Sequence, residues 1–205
     1  MIEYKTLENI EISMLTKAFN EAFSDYAVNI KMTEEALSLM LKRRGYNPYF
    51  SIGAFHNEQL VGFILNGLRD FNGKKTIYDS GTGVVPEYRR QGISKTIFAE
   101  LLKIIENDVQ QYLLEVIQSN DKAISLYKNQ NFSVARELKC YAKKFDNLQN
   151  QKNEKIFEMD VEKADWELFS TFHDFIPSWQ NSIESVRAVS EEFSICAKAP
   201  ISESV

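Results

Sequence analysis

The densest chemical signal lies in the run Gly83-Val84-Val85-Pro86-Glu87-Tyr88-Arg89-Arg90-Gln91-Gly92-Ile93-Ser94-Lys95. It reads as the end of a strand, a turn and the first turn of a helix. A helix N-terminus exposes unpaired N–H groups and a partial positive charge. A glycine just before the helix lets a bulky phosphate approach the backbone. Arg89, Arg90 and Lys95 add fixed positive charge around the same spot. This combination suits a pyrophosphate.

Two phosphate-binding patterns fail on their residues. A Walker loop needs contiguous Gly-Lys-Ser/Thr, and Gly92-Ile93-Ser94-Lys95 does not supply it. A dinucleotide fingerprint needs a third glycine after Gly81 and Gly83, where Pro86 stands. A third pattern matches. Arg89-x-x-Gly92-x-Ser94, preceded by Val84-Val85-Pro86-Glu87-Tyr88, resembles the Gln/Arg-x-x-Gly-x-Gly/Ala motif of the GNAT superfamily of acyl-CoA N-acyltransferases. Ser94 departs mildly from that pattern but keeps the residue small.

A second run follows at the right distance. Asn120-Asp121-Lys122-Ala123-Ile124-Ser125-Leu126-Tyr127-Lys128-Asn129-Gln130-Asn131-Phe132 resembles the family's Asn-x-x-Ala-x-x-Leu-Tyr-x-x-x-Gly-Phe. Asn131 replaces the glycine, which a left-handed helix C-cap tolerates. The resemblance covers about residues 2–145.

The resemblance implies acetyl-CoA as cosubstrate, no metal, and a primary amine of a small molecule or protein as acceptor. Strands 76–85 and 112–117 should run parallel and splay, with the thioester arm in the gap. Backbone groups of Val84 and Val85 would pair with the pantetheine. The N–H groups of Arg89, Arg90, Gln91, Gly92, Ile93, Ser94 and Lys95 would cradle the pyrophosphate, and Asn120 would touch the pantetheine arm. Tyr127 would protonate the departing thiolate. In this family the base often comes from the strand entering the coenzyme motif, which here offers Tyr78, Asp79 and Ser80. Asp79, its only carboxylate, is the named base, with a water-relayed base as the alternative. Asp25 and Tyr26, between the first two helices, lie where relatives hold the acceptor, and Tyr78 is placed with them. A catalytically inactive acyl-CoA-binding or sensing module is the alternative function.

These residues need positioning elements, and the hydrophobic periodicity provides them. Residues 2–7 alternate as a strand. Ile12, Leu15, Ala18, Phe19, Ala22 and Phe23 form a helical stripe over 11–23. Thr33 caps a second helix that stops near Gly45. Strands follow at 49–55 and 60–68 around His56-Asn57-Glu58, then Asn72-Gly73 turns into the strand 76–85. A long helix over 93–107, a strand over 112–117 covered on both faces, a short helix over 122–130 and a strand over 133–145 complete the order βααβββαβαβ. The expected class is α/β, a GNAT-like mixed sheet with splayed parallel central strands.

The chain has 205 residues, 44% hydrophobic and 12% aromatic, enough for a folded core. A net charge of -5 disfavours a nucleic-acid surface. No apolar run reaches the roughly 18 residues that cross a bilayer, so no membrane role is expected. The N-terminus lacks a signal-peptide pattern. Cys140 and Cys196 are the only cysteines and do not combine with His56 and His173 into a metal-ligand spacing; a reducing cytoplasm is the expected compartment.

Composition breaks near residue 146. Residues 1–145 carry 19 Lys+Arg against 17 Asp+Glu, whereas 146–205 carry 5 against 12. All eight glycines lie at or before Gly92. Residues 146–155 read as a polar linker between a domain at 1–145 and a tail at 156–205. In the tail, 156–161 reads as a strand, 164–175 and 182–190 as helices and 192–197 as a strand. Phe193-Ser194-Ile195-Cys196-Ala197 matches Phe50-Ser51-Ile52-Gly53-Ala54 at four of five positions. The tail therefore reads as a partial second βααβ unit, the start of a second GNAT-like copy. The other reading makes 156–161 the last strand of the first domain, followed by a helical extension. An uncovered half-domain edge suggests a homodimer.

Overall fold

The computed structural model describes residues 1–26, 30–105, 109–141 and 156–198. The chain divides into two compact units, Met1–Phe132 and Ser133–Val205. All residues singled out above for chemistry lie in the first.

That unit is built on one five-stranded sheet in the order β1-β2-β3-β4-β5. The strands are β1 (Ile2–Thr6), β2 (Ile52–His56), β3 (Gln59–Phe71), β4 (Lys74–Val84) and β5 (Gln111–Leu114). The first four pair antiparallel, and β4 with β5 is parallel. Both hairpin turns use left-handed residue pairs, Asn57 with Glu58 and Asn72 with Gly73. Such turns match the twist of the strands they join.

Two layers of helix cover the sheet. On one face lie α1 (Ile12–Ala22) and α2 (Glu34–Arg43), whose Leu15, Phe19, Leu37 and Leu41 close over Phe63 and Leu65 of β3. The Thr33 hydroxyl accepts from the Ala36 N–H at 3.2 Å, the expected cap. On the other face α3 (Ile93–Ile104) lays Ile93, Ile97, Phe98 and Leu101 over Ile52, Ile64 and Ile77. Alternation along β3 sends Phe63 to one core and Ile64 to the other. Each such fully buried side chain contributes about 1.5–3 kcal/mol. The chain after α2 crosses β3 closely: a Cβ on Gly67 would lie 2.1 Å from the Arg44 carbonyl oxygen.

The feature that prepares the site is a break in β4. Leu65 pairs with Gly81 and Asn66 with Asp79, so Ser80 is an extra residue, a β-bulge. On its other edge β4 pairs with β5 only from Thr76 to Asp79. The strands thus part where the bulge adds twist, as expected for splayed central strands. The buried Asn66 braces this point: it donates to the Phe50 carbonyl at 2.6 Å and accepts from the Tyr112 hydroxyl at 2.9 Å.

Past β5, α4 (Asp121–Lys128) begins on Asn120, whose side chain accepts from the Ala123 N–H at 3.2 Å. It ends at Lys128 with Asn129 as a right-handed C-cap, and the left-handed residue follows at Asn131, φ +65°, with the Phe132 N–H returning to the Tyr127 carbonyl at 3.1 Å.

Two strands depart from expectation. The strand expected over 112–117 and covered on both faces stops at Leu114, and its residues are only half-buried. Residues 133–141 form no strand, and 142–145 lie outside the described residues. Among the described residues their alternating pattern finds no neighbouring strand, and Val134, Leu138 and Tyr141 stand exposed. Alternation makes a strand only where a ladder partner exists. The expected linker at 146–155 also lies outside the described residues.

In the second unit, β6 (Ile156–Asp160) pairs antiparallel with β7 (Ser194–Lys198), in a sheet of their own. Among the described residues, β6 and β7 pair only with each other. Between them come α5 (Trp166–Thr171) and α6 (Ile183–Arg187), capped by the side chains of Asp165 and Ser182. Trp179 is buried, whereas Phe172 and Phe175 are exposed. No described helix is long and apolar enough to cross a membrane.

Candidate functional site

The run after β4 forms a 3-10 turn, Pro86–Tyr88, then a sharp bend into α3. Arg90 has φ +61° and Gly92 φ +77°. Arginine in the left-handed region costs about 1–3 kcal/mol, and such strain collects at functional sites. Alternating left- and right-handed residues turn successive N–H groups into a concave nest for an anion. The first helical bond is Thr96 N–H to Gly92 C=O, so the amides of Ile93, Ser94 and Lys95 sit ahead of the helix ladder. A Cβ built on Gly92 meets nothing within 4 Å, so the space over the nest is open. The fit to a pyrophosphate rests on this open, N–H-lined bend. The Arg89 N–H is not part of it, since it donates to the Pro86 carbonyl at 3.2 Å.

The Arg89 guanidinium also turns away from the nest. It forms a two-pronged pair with Asp25 at 2.6 and 2.8 Å, and donates to the carbonyls of Val84 at 3.0 Å and Ala22 at 2.9 Å. The guanidinium beside Asp25 holds that carboxyl below its usual range. Asp25 therefore anchors the end of α1 to the bend. Tyr26 is held as well: the Asn120 amide donates to its hydroxyl at 3.2 Å. Two of the three residues expected on the acceptor side, Asp25 and Tyr26, are thus gripped by residues expected on the coenzyme side. Arg90, Gln91 and Lys95 are exposed, and the Gln91 amide folds back to the Glu87 carbonyl at 3.2 Å. Tyr88 meets His56 Nδ1 at 2.9 Å, which ties the 3-10 turn to the β2–β3 hairpin.

The wedge between β4 and β5 holds the remaining groups. The Val85 N–H donates to the Val61 carbonyl at 2.9 Å, so it serves the sheet. Alternation then aims the Val84 N–H and C=O at the wedge edge, where Arg89 takes the carbonyl. An extended ligand arm along this edge would meet Val84 rather than the Val85 N–H.

Asp79 is buried at the last paired position of β4. Its Oδ1 accepts from the Gly81 N–H at 2.8 Å. Its Oδ2 accepts from the Thr82 hydroxyl at 2.7 Å and the Tyr127 hydroxyl at 2.9 Å. Burial raises the Asp79 carboxyl despite these donors and the nearby Arg44. Burial first, then the Asp79 charge and hydrogen bond, raises the Tyr127 phenol. The two residues named for catalysis are therefore in direct contact.

Sequence reasoning did not single out Glu115. It is the first residue past the β4–β5 pairing, exposed, and its Oε2 accepts from the Tyr78 hydroxyl at 3.3 Å. Tyr78 is itself buried. Alternation sends Tyr78 and Glu115 to the opposite face from Asp79, the α2 side, where the Arg44 guanidinium donates to the Ser80 carbonyl at 2.6 Å. A charged residue closing an otherwise apolar strand was the available signal. Among the described residues, no group of three metal-ligating side chains occurs.

Comparison with known proteins identifies the family. The acetyltransferase (GNAT) family model matches residues 10–132. The chain is 42% identical over 60 residues to an N-alpha-acetyltransferase of Saccharolobus solfataricus, covering 28% of this chain and 36% of that protein. It is 28% identical over 113 residues to N-alpha-acetyltransferase 60 of Xenopus tropicalis, covering 45% and 47%. The chain thus spans about a third to a half of the length of these curated relatives. The crystal structure of the ribosomal-protein-S18-alanine N-acetyltransferase from Escherichia coli superposes with a TM-score of 0.51 at 23% identity, over 66% of this chain and 80% of that one. AAC(6')-Iy, in complex with the bisubstrate analog CoA-S-monomethyl-acetylneamine, gives 0.54 at 14% identity, over 71% and 99%. At these identities the structural likeness establishes the fold alone. With the family model covering more than half of its residues, the chain belongs to the GNAT family of acetyltransferases.

Proposed function

We propose that this protein transfers an acetyl group from acetyl-CoA to a primary amine of a small molecule or protein. The observation that carries this reading is the alignment, in one unit, of an anion nest at Arg90–Lys95, a wedge between β4 and β5, and a tyrosine at the wedge. The names of the two sequence relatives favour a peptide α-amine among the acceptors.

The chemistry sets the demands. A lysine amine, with a reference pKa of about 10.4, is neutral in about one molecule in two thousand near pH 7, a penalty of roughly 4–5 kcal/mol. An α-amine, near 7.7–8.0, costs only about 1 kcal/mol. The neutral nitrogen attacks the acetyl carbon, the carbon–sulfur bond breaks, and the thiolate needs a proton. Tyr127 supplies that proton. The nitrogen gives up its own to a base, for which Asp79 and Glu115 compete. Asp79 is buried and already accepts three hydrogen bonds. Glu115 is exposed at the wedge mouth, on the face opposite Tyr127, so an amine entering there would have base and acid on opposite sides of the reacting carbon. This assigns the base to Glu115. Tyr78 orients it, and Asp25 and Tyr26 fix the end of α1 beside the entrance.

An amine panel with acetyl-CoA, read by thiol release, tests the function. Peptide α-amines, lysine side chains, polyamines and aminoglycosides separate the acceptor classes. On the best acceptor, Glu115→Gln is expected to lower kcat by about 10²–10⁴-fold. Activity near that of the unaltered chain would return the base to Asp79 or to water.

The tail is proposed as the opening βααβ of a second GNAT-like unit. Supporting this, β6 and β7 pair antiparallel across two helices, as β1 and β2 do. A homodimer through residues 156–205 would cover its exposed phenylalanines. Light scattering at micromolar concentration is expected to return a dimer; a monomer refutes this.

A further inference from the structure

Asp79 and Tyr127 meet across the wedge, and their contact has a consequence for acid catalysis. A tyrosine hydroxyl has one proton. An ionised carboxylate only accepts, so beside ionised Asp79 that proton points at Oδ2, 2.9 Å away. It then cannot point at sulfur, and the adjacent charge makes the phenol a poorer acid. A neutral Asp79 reverses both effects. Given the acetyl transfer proposed above, we propose that Asp79 is a positioning residue that works as a neutral acid, donating its Oδ2–H to the Tyr127 oxygen and so turning the phenolic proton towards the departing sulfur.

The surroundings satisfy both protonation states. With Oδ2 as the hydroxyl oxygen, Oδ1 remains the carbonyl that accepts from Gly81, and a lone pair on Oδ2 still accepts from Thr82. No buried group loses its partner when the Asp79–Tyr127 bond reverses direction. A base in the same place would need an acceptor lone pair open to the amine, and three of the roughly four lone-pair sites of this buried carboxylate are already taken.

The charges facing Asp79 set where it titrates. Arg44, at the end of α2, and the donors on β4, Gly81 N–H and the Thr82 hydroxyl, favour the carboxylate. Burial opposes them and dominates. From β5 comes the Tyr112 phenol, raised well above its usual value by burial and by Asp79, so it stays neutral. From α4 comes Tyr127 itself, with Tyr26 beyond it. Asp79 is the carboxyl among these, and its burial favours the neutral form. The sign follows: the competent protonated form exists below its raised pKa, and activity falls as pH rises through it.

The test uses the full chain, acetyl-CoA and the best amine of the panel, with kcat measured across pH. The unaltered enzyme is expected to lose about tenfold per pH unit on its alkaline side. Asp79→Asn keeps a donor to Tyr127 but cannot ionise. It is expected to cost about 3- to 10-fold at the plateau and to abolish the alkaline fall. Asp79→Leu has no donor and is expected to cost at least about 100-fold. Thr82→Val removes a donor to the carboxylate and is expected to move the alkaline fall to higher pH. If Asp79→Asn costs as much as Asp79→Leu, or keeps the alkaline fall, the proposal is overturned. Should Asp79→Asn not fold, the Thr82→Val displacement decides: a fall that stays in place overturns it. An unaltered chain that releases no thiol with any amine at any pH instead overturns the proposed acetyl transfer, and the role of Asp79 in it.

Discussion

Tyr127→Phe is expected to lower kcat by about 10²–10⁴-fold while leaving the KM for acetyl-CoA within a few-fold. The side chain keeps its ring, so its edge contacts with Phe98 and Phe132, at 6.1 and 5.7 Å between centroids, survive. Only the hydroxyl is lost, and with it the proton for the thiolate. The Asp79 carboxyl retains Gly81 and Thr82 as donors, so the fold is little disturbed. Steady-state rates on the best acceptor, with CoA affinity measured in parallel, separate the possibilities. A near-normal kcat would show that Tyr127 only packs against α3 or that water supplies the proton.

The second large effect belongs to Gly92. Acetyl-CoA or CoA at a hundredfold excess over its dissociation constant should stabilise the folded chain by about 2.7 kcal/mol. Gly92→Glu is expected to weaken that binding by roughly 10²–10³-fold. The loss comes from a carboxylate set against a pyrophosphate, a few kcal/mol; the side chain at φ +77° costs about 1–2 kcal/mol of fold stability with or without CoA. The glutamate meets nothing within 4 Å at its Cβ, so the fold tolerates its bulk. The melting temperature with and without CoA reads the loss. A variant that CoA still stabilises would place the pyrophosphate elsewhere.

How far the sequence revealed this molecule depended on the range of each signal. The coenzyme segment is local, a strand, a bend and a helix start, so its residue types announced it, and the structure adds the left-handed Arg90. Asn131 was legible for the same reason, because only a few side chains suit a left-handed cap. The contacts that assign roles were not legible. Asp79 and Tyr127 are 48 residues apart, and Arg89 and Asp25 are 64 apart. No periodicity reports such pairs. The bulge at Ser80, which parts β4 from β5, leaves no mark in an apolar pattern. Glu115 was visible as an anomaly but not as a site, since its meaning depends on where β5 stops pairing. The strand expected from residue 133 is missing over 133–141 for the complementary reason: alternation describes a strand with two different faces, and among the described residues 133–141 has neither a ladder partner nor a buried face.

Acetyl transfer itself is tested most directly by product analysis. The full chain is incubated with acetyl-CoA and each amine of the panel, and acetylated amine and free CoA thiol are quantified together by mass spectrometry and thiol titration. The account predicts that at least one primary amine is acetylated, with one thiol released per acetyl group transferred, and that Tyr127→Phe suppresses both signals equally. Acetyl-CoA that binds the chain yet is returned intact in the presence of every amine would contradict it, and would make the protein an acyl-CoA-binding module on a GNAT fold.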